Sequence, residues 1–171
     1  EKKPERVLHE MDNAMSHLAV ASEAEQNGDL QVYHSNLDKA KRHIQRATLD
    51  CVKLLWLHYK ERVDRIVGDK FVLRRCTDCA VASFLQDYDE AEDKAEEARV
   101  LEHKSVGRSP MKSVPTYYTA AVWYKRLDDK VAWDDIESER RLRNLKVAGK
   151  LLLVFIIGLL VRPLYDMVTS L

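Results

Sequence analysis

The sequence predicts an all-α protein: an antiparallel four-helix bundle with a C-terminal apolar helix. Apolar residues recur at steps of three and four over long stretches, which lays them along one stripe of a helix. No stretch alternates apolar and polar as a half-buried strand does. Only five glycines and four prolines interrupt 171 residues, so the helices are expected to be few and long. That length predicts one domain with a core plus an appended segment.

The first helix is carried by Leu8, Met11, Met15, Leu18 and Ala21, with Pro4 suited to its first turn and Gly28 to its stop. The second follows a cap at Asp29 and runs its stripe through Tyr33, Leu37, Ala40, Ile44, Ala47, Cys51, Leu54 and His58. Val81, Phe84, Tyr88, Ala91, Ala95 and Ala98 give the third, whose alanines allow close approach and whose outer face reads DEAEDKAEE. After a loop from Lys104 to Pro115, Tyr117, Ala120, Tyr124, Leu127 and Val131 give the fourth. These stripes are expected to bury against one another over residues 1–132.

From Trp133 no proline occurs until Pro163, so the fourth helix is expected to run on into the C-terminal block. Residues 133–150 form a basic extension with Arg140, Arg141, Arg143, Lys146 and Lys150. Then comes LLLVFIIGLLV, residues 151–161 with Phe155 at its middle, too short on its own to cross a bilayer. The whole stretch 151–171 has a spanning length, and its two charges, Arg162 and Asp166, lie four apart on one helical face where they can pair. A basic flank on the near side matches the positive-inside tendency and attracts anionic headgroups. The sequence therefore predicts a single-pass segment with the N-terminal domain in the cytoplasm. The alternative is a cytoplasmic protein whose C-terminal helix is a core or oligomer helix.

Charge and motifs exclude more than they assign. Twenty-eight basic and 28 acidic residues cancel, so no double-stranded nucleic acid is expected as a partner. Three cysteines with no secretory signal at the start predict thiols in a reducing compartment; Glu1 is not a methionine, so the natural start stays open. Cys76-Thr-Asp-Cys79 is a lone CxxC without a second ligand pair, so neither metal nor redox chemistry is expected. There is no glycine-rich phosphate loop, HExxH or nucleophile elbow, and no cofactor or catalytic residue is assigned. A weak anion or nucleotide site is conceivable where Arg42-His43 and Arg74-Arg75 lie on neighbouring helices, with His58 near Trp56, Tyr59 and Arg62.

The phrases LDKAKRHIQRATLDCVKLL, EEARVLEH and YYTAAVWYKRLDDKV resemble helical bundles of the HEPN superfamily (higher eukaryotes and prokaryotes nucleotide-binding) over roughly residues 5–132. The resemblance implies a helical fold, a small nucleotide or RNA as ligand, and a setting in bacterial stress or antiviral defence. Catalytic members carry an arginine followed five to seven positions later by histidine. Here Arg99 and His103 come nearest, four apart, so the resemblance lends no support to ribonuclease activity.

Together these readings predict a non-enzymatic, membrane-anchored helical sensor or effector, oligomeric and acting on the bilayer, with membrane lipid and a second protein copy as partners. The alternatives are a soluble oligomeric adaptor that uses its C-terminal helix as the interface, and a degenerate HEPN-type nucleotide binder or ribonuclease.

Overall fold

The structure is a computed structural model describing residues 4–105 and 109–169, with side chains described as far as Leu151. It is all-helical: α1 (Pro4–Gln26), α2 (Leu30–Val67), α3 (Lys70–Cys76), α4 (Val81–Ser105), a single 3-10 turn (Pro110–Lys112), α5 (Val114–Asp129) and α6 (Trp133–Thr169). Among the described residues the only β contact is an isolated bridge between Thr77 and Val131.

The turn from α1 to α2 is as tight as helices allow. Asp29 donates its backbone N–H to the Ala24 carbonyl and Gly28 donates to Glu25, the paired bonds that close a helix on a left-handed residue. Gly28 supplies that residue at φ 73°, where a side chain is strained. Asp29 then caps α2, its carboxylate accepting from Val32 N–H at 3.1 Å. One residue thus finishes the first helix and starts the second.

α2 is 38 residues long and serves two different sets of partners. Over its first half it lies antiparallel to α1, burying Asn36, Ala40 and Ala47 against Ala14, Ala21 and Ala24. Over its second half it buries Leu49, Trp56, Val63 and Ile66 against α4 and α5. From Ala40 to Leu49, and again from Ala47 to Trp56, is nine residues, about two and a half turns, so the second buried face lies on the opposite side of the helix from the first. The result is a two-helix arm, α1 with the front of α2, and a three-helix body of α2, α4 and α5.

Polar rungs fix the directions within the body. Lys53 of α2 and Tyr117 of α5 meet on the Glu102 carboxylate at 2.8 and 2.7 Å. Seven residues further along both helices, Lys60 and Tyr124 meet on Glu92. α2 and α5 therefore run parallel, with α4 antiparallel to both, the alternation of direction that an antiparallel bundle has; what departs from the expected four-helix bundle is that the parallel pair α2 and α5 pack directly on each other while α1 packs on the front of α2. The long passage of α4 makes this possible, returning the chain to the level of Lys53 before α5 begins. α5 approaches α2 and α4 closely over Ala120, Ala121, Ala91, Ala95 and Ala98, all essentially without exposure. α2 and α4 are instead bridged by the rung side chains.

Two further expectations are corrected. The α1 stripe is not a core stripe: Leu8 is 67% and Met15 62% exposed, and Met11 and Leu18 are also exposed, because α1 docks on α2 through its alanines and no other helix covers that stripe among the described residues. On α2, Ile44, Cys51 and His58 are likewise exposed. The fourth helix does not run on into the C-terminal block. It stops at Asp129, where Val131 is buried beside Thr77, with Ala132 N–H donating to Cys76 O at 2.7 Å and Asp78 N–H to Lys130 O at 3.1 Å. These bonds turn the chain, and α6 starts afresh with Asp134 and Asp135 in its first turn, where acidic residues suit the helix dipole. By contrast, the predicted stripes of α4 and α5 pack as expected, from Phe84 to Ala98 and from Tyr117 to Val131.

The alanine contact between α4 and α5 leaves no room for a larger side chain. Ala95→Leu is expected to lower unfolding stability by about 1–3 kcal/mol, read by chemical denaturation, whereas an equal change at exposed Ala82 should be near neutral.

Candidate functional site

Among the described residues, α6 is held to the body through its first turns. The Trp133 ring carries the Arg62 guanidinium at 4.5 Å and donates its indole N–H to Asp128 O at 3.2 Å, while Ile136 is buried. Glu139 accepts from Arg75 at 3.0 and 3.1 Å, and Arg140 donates to the Arg65 carbonyl at 3.4 Å. Arg143 then grips both carboxylate oxygens of Asp69, the cap of α3, at 2.9 and 2.7 Å. Burial alone would raise the Asp69 carboxyl, but Arg143 and the N–H groups of Val72 and Phe71 outweigh it and hold it below the usual carboxylate range.

Beyond this grip every residue from Asn144 to Leu151 is exposed, Leu145, Val147 and Leu151 included. The five basic residues expected to flank the membrane thus divide. Arg140 and Arg143 are bound to the body and Arg141 pairs with Glu137 at 2.7 Å, while Lys146 and Lys150 stand outward with no ion pair among the described residues. Phe155, Arg162 and Asp166 lie beyond the described side chains. Among the described residues no helix is long and apolar enough to cross a membrane, and the side chains of 152–171 fall outside that description.

The weak anion site is not brought together. Arg42 and His43 lie on the arm, with His43 bonded to Glu10 at 2.7 Å and stacked on His17 at 5.3 Å. Arg74 and Arg75 lie on α3, past the other end of α2, roughly 35 Å away along its axis. His58 is exposed and shares a shallow depression with Arg62, Arg65 and Trp133, where Arg62 is committed to Asp128 at 2.8 Å. The two CxxC thiols sit in the α3 to α4 turn, both pushed up by burial, and no metal-holding cluster of His, Cys, Asp or Glu occurs among the described residues.

The densest set of titratable groups is the pair of rungs, which sequence reading did not find because its members come from three helices. Around the lower rung, Tyr88 also donates to Asp64 at 2.8 Å, and Lys60 lies 3.3 Å from the Tyr124 hydroxyl. Burial alone would raise Glu92 and Glu102, yet donors from lysine and tyrosine outweigh it and hold both below the ordinary carboxylate range. Burial, and then the carboxylate each one donates to, pushes Tyr88, Tyr117 and Tyr124 well above the ordinary tyrosine range. The same side chains tie α2, α4 and α5 together at two levels seven residues apart. No family model, curated protein or solved structure matches this chain.

The rungs set a pH window. Glu92 and Glu102 stabilise the fold above the ordinary carboxylate range, and that contribution is lost as pH falls through their lowered values. The tyrosines act with the opposite sign, their contribution present below their ordinary range and lost as pH rises above it. Denaturation midpoints are expected to be flat between, and to fall below about pH 4 and above about pH 10. Glu92→Gln should flatten the acid limb; an unchanged acid limb would show that Glu92 does not set it.

Proposed function

We propose that this chain is a non-enzymatic helical interaction protein attached to a membrane by the C-terminal part of α6. One observation carries the reading: α6 is pinned to the body as far as Arg143 and exposed from Asn144 to Leu151, just where the sequence turns into LLLVFIIGLLV. A helix that leaves its own core and becomes more apolar needs another apolar environment. Lys146 and Lys150, exposed and with no ion pair among the described residues, are placed to meet anionic headgroups at the entry point. Arg162 and Asp166 are four apart in the sequence, a spacing at which the two charges of the far part would offset each other within a bilayer. An arrangement of this kind holds the body and arm on one side of the membrane, displayed for a partner. Nucleotide binding and a role in antiviral defence rest on the HEPN resemblance alone.

A second reading has an observation of its own. Leu142 and Leu145 are exposed on α6, and positions 149, 152, 156 and 159 continue their three-and-four spacing as Gly, Leu, Ile and Leu, the seam of a helix that pairs with its copy. Vesicle flotation of the full chain separates the two. Membrane insertion predicts that the protein floats with the vesicles and stays there through about 1 M salt and an alkaline wash, since salt at that level screens headgroup attraction to Lys146 and Lys150. A chain that is soluble without detergent and remains at the bottom of the gradient would sink the membrane reading and leave the α6 seam.

A further inference from the structure

We propose that the arm is a dimerisation module: two copies of the chain pair through the face formed by Leu8, Met11, Met15 and Leu18 of α1 with Leu37 and Ile44 of α2, making a four-helix bundle at the N-terminal end of the molecule. The proposal is independent of the membrane reading, since it concerns the opposite end of the protein from α6.

The face follows from the register of the arm. His17 bonds to Asn36 at 2.9 Å and His43 to Glu10 at 2.7 Å, so these residues, with Ala14, Ala21, Ala40 and Ala47, point across the seam. Each apolar residue of the face follows an inward residue by one position: Met15 after Ala14, Leu18 after His17, Leu37 after Asn36, Ile44 after His43. One position is a rotation of about 100°. Because the two helices are antiparallel, equal rotations in the sense of each chain bring both stripes to the same side of the pair. The same register sets Leu8 and Met11 level with Ile44, and Met15 and Leu18 level with Leu37. The result is one continuous apolar face on a layer two helices wide, and a layer with one apolar face needs a second layer.

Charge selects the second copy as that layer. Asp12 on the outer edge of α1 and Lys41 on the outer edge of α2 are level in the arm's register, both exposed, and neither has an ion pair among the described residues. A two-fold axis parallel to the helices lays α1 of one copy on α2 of the other without changing level, so each Asp12 comes beside Lys41 of the second copy. Every neighbouring pair of helices in that bundle is antiparallel, the arrangement of short-looped four-helix bundles. A two-fold across the helices, centred on the stripe, would instead bring the two Asp12 carboxylates together. The body does not obstruct the pairing, because it packs on the side of α2 opposite α1.

Sedimentation equilibrium of the full chain, in density-matched detergent so that α6 is solvated, tests this. The wild type should be a dimer at micromolar concentration, and Met15→Glu should raise the dimer dissociation constant by roughly 100-fold or more, because both copies then bury a carboxylate in an apolar face. Helix content should be unchanged, since Met15 is 62% exposed within one chain. Asp12→Lys alone should weaken the dimer, and adding Lys41→Asp should restore it, an outcome that depends on the proposed register and not on general stability. A wild type that is monomeric throughout leaves the face to some other protein and overturns the proposal. So does a dimer indifferent to Met15→Glu, which places the contact in α6, and so does failure of the charge swap to rescue.

Discussion

The architecture depends on the single helix α2 changing its buried face half-way along. With Ala40 and Ala47 on one side and Leu49, Trp56 and Val63 on the other, the same rod is one member of a narrow pair and then the spine of a three-helix body. Everything else is placed by that switch. The N-terminus of α1 lies where the body begins, α4 and α5 fill the opposite flank below it, and α3 and α6 gather at the far end. Had the two faces been in line, α1 would compete with α5 for one groove and the arm would not stand clear.

How the two halves hold together differs in kind. The arm meets through alanines, a stacked histidine pair and a buried Asn36, a contact thin in apolar area but specific in register through its polar groups. The body combines a close alanine contact between α4 and α5 with lysine, glutamate and tyrosine rungs spanning the wider gap to α2. In each rung the carboxylate is satisfied by an ammonium and a phenol, so its burial is compensated, and the repeat after seven residues on both α2 and α5 fixes their axial alignment.

What the sequence made legible follows from this division. Helix type was plain from periodicity, and the stripes of α4 and α5 were legible because each packs with one face throughout. The helix ends at Gly28 and Asp29 were legible because left-handed backbone and capping chemistry are local. The stripe assigned to α2 carried the arm seam of Ala40 and Ala47 straight on to Cys51 and His58 and missed Leu49, Trp56 and Val63, since a run at steps of three and four assumes that a helix keeps its neighbours. On α1 the largest apolar residues drew the stripe, yet the alanines beside them make the contact. The break before Trp133 was hidden because no glycine or proline marks it; its cause is a tertiary bridge to Thr77. Of the candidate binding residues, Arg42, His43, Arg74 and Arg75 were grouped by charge type, which carries no information on distance along a long helix.

Asp69 gives the C-terminal helix a mechanical meaning. It caps α3, sits two residues past the end of α2, and takes both hydrogen bonds of the Arg143 guanidinium, the last attachment of α6 to the body among the described residues. A force along α6 therefore first meets the body at one carboxylate, through a short fork of two bonds, at the first turn of a seven-residue helix at the foot of the spine. The load path then continues along α6 through the Glu139–Arg75 pair, buried Ile136 and the Trp133 ring, so the Asp69 joint is the first of a short series.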